Sequence, residues 1–159
     1  MKLRTAIVED QKPDAERLEQ LLKKAFGEEE ILCRRFVCGD DFLKEFPGEG
    51  YQVVFLDICM EGTNGIETAR QLRAADPELL IVFVTSSPEY VWDAFPVHPF
   101  DYLLKPYKIF FLFSVHFFLS FRPSPKNISV SGASVPPRGL PRLFCQKIRH
   151  TGSAGSPIL

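Results

Sequence analysis

The amino-acid sequence predicts an α/β fold in which helices cover both faces of a doubly wound, five-stranded parallel sheet. Two observations lead to this prediction. Near-continuous apolar runs rich in Val, Ile and Phe occupy residues 52–57 and 79–85, as expected of strands that are buried on both faces. Strand-like and helix-like segments also alternate along residues 1–106, and right-handed crossovers between such strands place the helices on both faces of one sheet.

The first two strands and helices are read from apolar spacing. Residues 3–8 form a short apolar run that ends at two acids, and residues 31–37 predict a second strand with a partly polar face, nearer a sheet edge. Between them Pro13 suits the first turn of a helix. The apolar stripe of that helix is formed by Leu18, Leu21, Leu22 and Ala25. The sequence DDFLKEF then predicts a short helix that is closed by Pro47 and Gly48.

The third strand, residues 52–57, leads through a glycine-containing loop into a third helix. Asn64 is a favoured N-cap residue, and Glu67 follows three residues later. Asp76 and Pro77 end this helix.

The last two strands are residues 79–85 and 100–104. Between them, Ser87 and Pro88 predict the start of a fourth helix that continues to about Phe95. Polar or charged residues therefore lie at the ends of the first, third, fourth and fifth predicted strands.

Charge divides the chain near residue 106. All 20 acidic residues lie in residues 1–106 together with 12 of the 19 basic residues, whereas residues 107–159 hold 7 basic residues and no acid. This asymmetry predicts a boundary. The four cysteines lack paired CxxC spacing, so a zinc site is not expected. The sequence turns acidic before any apolar leader develops, so we expect a cytoplasmic protein with free thiols and no membrane association.

The residues that follow the strands predict a functional site. Glu9 and Asp10 follow the first strand, Asp57 the third, Thr85 closes the fourth, and Lys105 follows the fifth. Sheets of this kind place their sites at the carboxyl ends of the strands. Three carboxylates at one edge require a cation, and Mg²⁺ prefers oxygen ligands. Asp57 is the best-placed nucleophile toward a phosphoryl group.

The motifs AIVED, VVFLDICMEGTNGIE, IVFVTSS and FDYLLKP, in this order over residues 1–106, resemble the receiver domain of bacterial two-component response regulators. The segments VTSSPEYVWDAF and DYLLKPY are most similar to receivers of the LytTR (LytR/AgrA-type) family. The resemblance implies a flavodoxin-like (CheY-like) sheet of order 2-1-3-4-5. It also implies a sensor histidine kinase as partner, homodimerisation through the fourth helix and fifth strand, and DNA binding only through a separate output domain.

The resemblance further implies a role for each site residue. Asp57 is the phosphoacceptor, and Mg²⁺ is held by Glu9, Asp10, Asp57 and the backbone carbonyl of Cys59. Thr85 and Tyr102 are the switch residues. Lys105 contacts the phosphoryl group and precedes Pro106 in a cis peptide bond. The implied protein is not an enzyme beyond self-phosphorylation from small donors and autodephosphorylation.

Three other interpretations remain open from the residues. A haloacid-dehalogenase-type phosphohydrolase requires a second Asp two residues after the nucleophile, where this chain has Cys59. A flavodoxin-like FMN carrier requires a phosphate-binding first loop, where this chain has two acids. A phosphorylation-independent interaction module usually lacks one of the five site groups, and all five are present here.

The end of the chain departs from the receiver pattern. We expect a receiver domain over residues 1–121, with an atypical fifth helix over residues 107–121 that is apolar all round and so exposes Phe or requires a partner. Residues 122–159 predict an irregular, disordered basic tail without an output domain. We interpret this end as frameshifted or mis-annotated, with a divergent genuine helix plus disordered tail and a membrane- or partner-binding element as the alternatives.

The frameshift interpretation makes a prediction about the coding DNA. Translating the other two frames downstream of codon 107 should restore an amphipathic fifth helix followed by a LytTR-like domain. If neither frame does so, the frameshift interpretation is wrong.

Overall fold

Five parallel strands form one sheet in the computed structural model of the protein, which describes residues 2–107, 112, 113 and 115–117. The strand order is β2-β1-β3-β4-β5 and every pairing is parallel, which confirms the predicted topology. The strands are β1 (Leu3–Val8), β2 (Ile31–Phe36), β3 (Val53–Leu56), β4 (Leu80–Thr85) and β5 (Asp101–Leu104).

The first three helices lie where the sequence predicts them. They are α1 (Lys12–Phe26), α2 (Gly39–Glu45) and α3 (Gly65–Ala75). The predicted N-cap of α3 is confirmed, because the side-chain oxygen of Asn64 accepts a hydrogen bond of 2.9 Å from the Glu67 amide. The cap thus satisfies an amide that has no partner within the helix.

The fourth helix differs from the prediction of one continuous helix from Ser87 to about Phe95. The α-helical part, α4 (Val91–Ala94), is only four residues long, and 3₁₀ turns flank it at Pro88–Tyr90 and Phe95–Val97. Pro96 has no amide hydrogen, so it cannot extend the α-helical ladder. The chain then turns at His98, whose φ is +48°.

Both faces of the sheet are covered by apolar side chains. Ile7, Phe55 and Val82 pack with Leu18 and Leu22 of α1 in one hydrophobic core. Successive strand residues point to opposite faces. The alternate residues, including Ala6, Val54 and Phe83, are also fully buried. This double burial explains the near-continuous apolar runs of the central strands.

The described part of the predicted fifth helix is helical and divides into a buried and an exposed side. Leu112 and Val115 belong to the hydrophobic core, whereas Phe113 and Phe117 are 45% and 67% exposed. The expectation that Phe side chains here would face solvent is confirmed for these two. The remainder of residues 108–121 and the expected tail, residues 122–159, lie outside the described residues. No helix among the described residues is long and apolar enough to cross a membrane.

Two glycines shape the path of the chain from β3 into α3, one in the loop and one at the start of the helix. Gly62 has a φ of +84°, a conformation that L side chains rarely adopt. At Gly65 a Cβ atom would lie 2.0 Å from the backbone carbonyl oxygen of Asp57. The start of α3 therefore packs directly against the backbone of the residue that follows β3, which holds Asp57 in place.

Candidate functional site

Strand register brings the predicted site residues to one edge of the sheet. Val8 of β1 pairs with Leu56 of β3, so the residues that follow them, Glu9 and Asp57, are neighbours at the carboxyl ends of the strands. The Asp57 amide donates to the Val8 carbonyl at 3.0 Å, which continues the ladder past β3. On the other side of β4, the Lys105 amide donates to the carbonyl of Thr85 at 2.9 Å.

Three carboxylates cluster at this edge. One carboxylate oxygen from each of Glu9, Asp10 and Asp57 lies within 4.8 Å of the others. The side chains of Glu9 and Asp57 are only 4% and 6% exposed. Backbone amides partly satisfy them, because Gln11 donates to Glu9 Oε1 and Cys59 donates to Asp57 Oδ1, each at 3.2 Å.

Lys105 neutralises part of this charge. Its Nζ lies 2.6 Å from Glu9 Oε2, 3.0 Å from Asp57 Oδ2 and 2.8 Å from Asp14 Oδ2. An ammonium group has three N–H donors, and each has a carboxylate partner here. The Lys105–Pro106 peptide bond, which directly follows β5, is cis, as the resemblance implies.

Burial and charge shift the pKa of two of these groups. Burial raises the pKa of Glu9 from 4.5 to about 7, and the negative charge of Asp57 adds to the rise, while the hydrogen bond from Lys105 opposes it. Burial alone would lower the pKa of Lys105. The hydrogen bonds to Asp14, Glu9 and Asp57 outweigh it and hold the Lys105 pKa above its usual value.

The donor set fits a hard divalent cation. Oδ1 of Asp10 is buried and has no hydrogen-bond partner among the described residues, although buried carboxylate oxygens normally have one. It belongs to the same cluster as the carboxylates of Glu9 and Asp57. An unpartnered, buried oxygen beside two further carboxylates is the arrangement that Mg²⁺ binding would satisfy.

The predicted switch residues meet at Ser87 and not at the carboxylates. The Ser87 amide donates to Thr85 Oγ1 at 3.4 Å, and the Tyr102 hydroxyl donates to the Ser87 carbonyl at 2.6 Å. The Cys59 thiol lies 3.4 Å from the Ser87 hydroxyl. Thr85 is fully buried and Tyr102 is nearly so, and burial is the main reason that the pKa of the Tyr102 phenol is raised.

Beside the carboxylates lies a cleft of about 420 Å³. Its walls include the predicted residues Asp10, Asp57 and Lys105 together with Cys59, and they also include Asp14 from α1. Asp14 and Ser87 were not among the predicted site residues. Asp14 lies in the first turn of α1, where an acid is common in any helix, so its position gave no specific signal. Ser87 acts through its backbone, so its residue type carried no signal.

The structure defines the class as a parallel α/β protein with carboxylates, a buried threonine and a lysine at the carboxyl ends of its strands, which is where sheets of this kind place their sites. The family model of the response regulator receiver domain matches residues 5–114. The chain therefore belongs to the response regulator receiver domain family, which confirms the resemblance read from the motifs.

Three similar proteins place the chain within this family. It is 38% identical over 109 residues to the sensory transduction protein LytT of Oceanobacillus iheyensis, covering 67% of this chain and 44% of that protein. It is 32% identical over 106 residues to the transcriptional regulatory protein YpdB of Escherichia coli K12, covering 67% and 43%. The Thermotoga maritima response regulator TrrA, solved in complex with Mg²⁺ and BeF, aligns with a TM-score of 0.61 and 28% identity over 75% of this chain and 99% of that one. The match thus spans less than half the length of either curated relative.

The raised pKa of Glu9 predicts a pH dependence of stability in metal-free protein. The folded state holds the Glu9 proton more tightly than the unfolded state, so this stabilisation is complete below pH 4.5 and is lost as the pH rises through about 7. Without metal, Glu9→Gln should therefore become more stable relative to wild type by roughly 1–3 kcal/mol between pH 5 and pH 8. Urea unfolding in EDTA at several pH values measures the difference.

Glu29→Gln serves as the control, because Glu29 is exposed and its partner is the exposed Lys2. A constant difference between wild type and Glu9→Gln across this pH range would contradict the assignment of a raised pKa to Glu9.

Proposed function

We propose that this protein is a phosphoacceptor receiver that takes a phosphoryl group from a sensor histidine kinase onto Asp57. The observation that carries the proposal is the convergence of the Asp57 carboxylate, the Lys105 ammonium and the acidic pair Glu9 and Asp10 beside one cleft. The Asp57 side chain is mostly buried and lines that cleft, from which a phosphodonor can reach it.

The residues that would hold Mg²⁺ are Glu9, Asp10 and Asp57, together with the backbone carbonyl of Cys59. When bound, the ion supplies positive charge that offsets the charge on the oxygens of the transferring phosphoryl group. The unpartnered Oδ1 of Asp10 supports this assignment. Lys105 contributes a second positive charge 3.0 Å from Asp57 Oδ2.

Asp57 supplies the nucleophile. One of its carboxylate oxygens forms a bond to phosphorus while the bond between phosphorus and the donor's leaving atom breaks, which produces an acyl phosphate. Lys105 is placed to donate a hydrogen bond to an oxygen of the transferred group. We propose no other chemistry for the domain than this self-phosphorylation from donors and the hydrolytic loss of the phosphoryl group.

Thr85 and Tyr102 are proposed to transmit the modification. A Thr85 hydroxyl that turns toward the phosphoryl group gives up its 3.4 Å hydrogen bond from the Ser87 amide. Tyr102 is bonded to the carbonyl of the same serine. Movement of Ser87 therefore changes the environment of Tyr102 at β5.

The proposed biological role also involves parts of the protein outside the described residues. We propose a cytoplasmic protein whose receiver spans residues 1–121 and whose phosphorylation controls transcription, because one relative is named as a transcriptional regulatory protein. DNA contact is assigned to a domain other than this receiver. A phosphorylation-independent module is less well supported, since all five site groups are present. A phosphohydrolase is less well supported because position 59 is Cys.

Labelling with acetyl phosphate tests the proposed function. Wild-type protein should acquire an acid-stable, base-labile phosphoryl group in Mg²⁺ and not in EDTA. Asp57→Asn should abolish the label, because an amide oxygen is a far poorer nucleophile than a carboxylate. Phosphate-affinity gels and intact-mass measurement follow the product.

Asp41→Asn is a matched control, because Asp41 is an exposed aspartate that pairs with Lys44 on α2. It should label like wild type. A label that survives Asp57→Asn would contradict the choice of Asp57, and a wild-type protein that takes no label would favour the phosphorylation-independent module.

We also propose a homodimer through the α4–β5 surface. Trp92 of α4 is 72% exposed, Phe95 of the following 3₁₀ turn is 40% exposed, and Leu104 of β5 is 41% exposed. Large apolar side chains grouped on one surface are typical of contact sites. This surface follows Ser87 in the chain, so the proposed switch can alter it.

Sedimentation velocity tests the dimer. Adding Mg²⁺ and beryllofluoride, a phosphoryl analogue, should shift wild type toward the dimer, and Trp92→Ser should remove that shift by deleting the most exposed aromatic. Phe117→Ser removes an exposed aromatic from the fifth-helix segment and should have no effect. The opposite pattern would assign self-association to the Phe-rich segment.

A further inference from the structure

Asp14 is a third carboxylate partner of Lys105 that the motif analysis did not identify. It lies in the first turn of α1, and its amide donates to the Gln11 carbonyl at 3.0 Å. Its Oδ2 is 2.8 Å from Lys105 Nζ. Asp14 also lines the cleft into which Asp57 opens.

The three partners of Lys105 differ in burial. The side chains of Glu9 and Asp57 are 4% and 6% exposed, whereas that of Asp14 is 42% exposed. Releasing a buried carboxylate from its cation leaves an unpaired charge without water, which is costly. Releasing a half-exposed carboxylate costs little, because water replaces the lost partner.

The ammonium group has three N–H donors and three carboxylate partners, so a new acceptor has to displace one of them. A phosphoryl group on Asp57 would introduce such acceptors beside Lys105. The partner that can be given up at the lowest cost is Asp14. Once displaced, its carboxylate faces the negative phosphoryl oxygens across the cleft and repels them.

We propose that Asp14 is a positioning residue that holds Lys105 in the unmodified protein and yields one N–H donor to the phosphoryl group. On modification the ion pair between Asp14 and Lys105 is lost, and the Asp14 carboxylate then repels the phosphoryl oxygens. Both effects favour the unmodified state, so Asp14 limits how strongly the site retains a phosphoryl group. This inference rests on the proposed function of Asp57.

The test uses the full chain and separates Mg²⁺ binding from binding of the phosphoryl analogue. With saturating Mg²⁺, Asp14→Asn should bind beryllofluoride about threefold to tenfold more tightly than wild type, as expected for removing one partly exposed like charge from a charged site. Mg²⁺ alone should bind Asp14→Asn with the same affinity or up to about fivefold more weakly, because an attractive charge is lost. Isothermal titration measures both. A purely structural role for Asp14 would weaken both ligands together.

Three further variants define the effect. Glu16→Gln makes the same charge change on the same helix, where Glu16 pairs with Lys12 and Arg35, and it should stay within about twofold of wild type. Asp14→Glu restores the carboxylate and should return the analogue affinity toward wild type. Asp14→Ser removes the charge with a different side chain and should bind beryllofluoride like Asp14→Asn. If Asp14→Asn does not unfold cooperatively, the affinity of Asp14→Ser is measured in its place.

The outcomes separate the two proposals. Wild-type protein that fails to bind beryllofluoride in Mg²⁺ would contradict the proposed function itself. Wild-type binding with unchanged or weaker affinity in both Asp14→Asn and Asp14→Ser would overturn the role of Asp14 alone. An equal gain in Glu16→Gln would also overturn it, because the effect would then arise from overall charge and not from the contact with Lys105.

Discussion

The site depends on one interaction, the ion pairing of the Lys105 ammonium with two nearly buried carboxylates. Glu9 and Asp57 come from separate strands and would repel each other without a cation between them. A buried charge is tolerated only when it is paired and hydrogen-bonded. The lysine meets this requirement only in part, because the pKa of Glu9 stays raised. Three carboxylates thus cluster around one lysine, and this excess of negative charge would favour the proposed binding of a divalent cation.

The sheet and the main site residues were predictable because each depends on a local pattern. Strands buried on both faces need apolar residues at every position, so residues 52–57 and 79–85 stand out without an alignment. Parallel strands in one sheet bring their carboxyl ends to one edge, so Asp57 and Lys105 were expected at the same edge once the fold was correct. The N-cap at Asn64 was predictable for the same reason, since a helix start has unpaired amides wherever it occurs.

The features that were missed depend on tertiary position or on the backbone. Asp14 has the residue type and position of an ordinary first-turn helix acid, and only the fold, which brings the start of α1 within reach of the Lys105 side chain, makes it a partner of Lys105. Ser87 connects Thr85 and Tyr102 through its amide and carbonyl, which every non-proline residue has. The fourth helix was predicted as continuous because Pro88 marks its start well, while the effect of Pro96 on its last turn was overlooked.

The broken fourth helix fits the proposed switch better than a continuous helix would. A four-residue α-helix between two 3₁₀ turns contains few i→i−4 hydrogen bonds, and such segments belong to the least stable part of a fold. Ser87 immediately precedes this segment and holds it to the site through Thr85 and to β5 through Tyr102. A long contact of 3.4 Å on the Thr85 side and a short one of 2.6 Å on the Tyr102 side make the Thr85 bond the weaker of the two. A change at Asp57 that recruits the Thr85 hydroxyl would therefore release the segment from the site first, while Tyr102 keeps it attached to the sheet, so the movement would be directed toward the exposed α4–β5 surface.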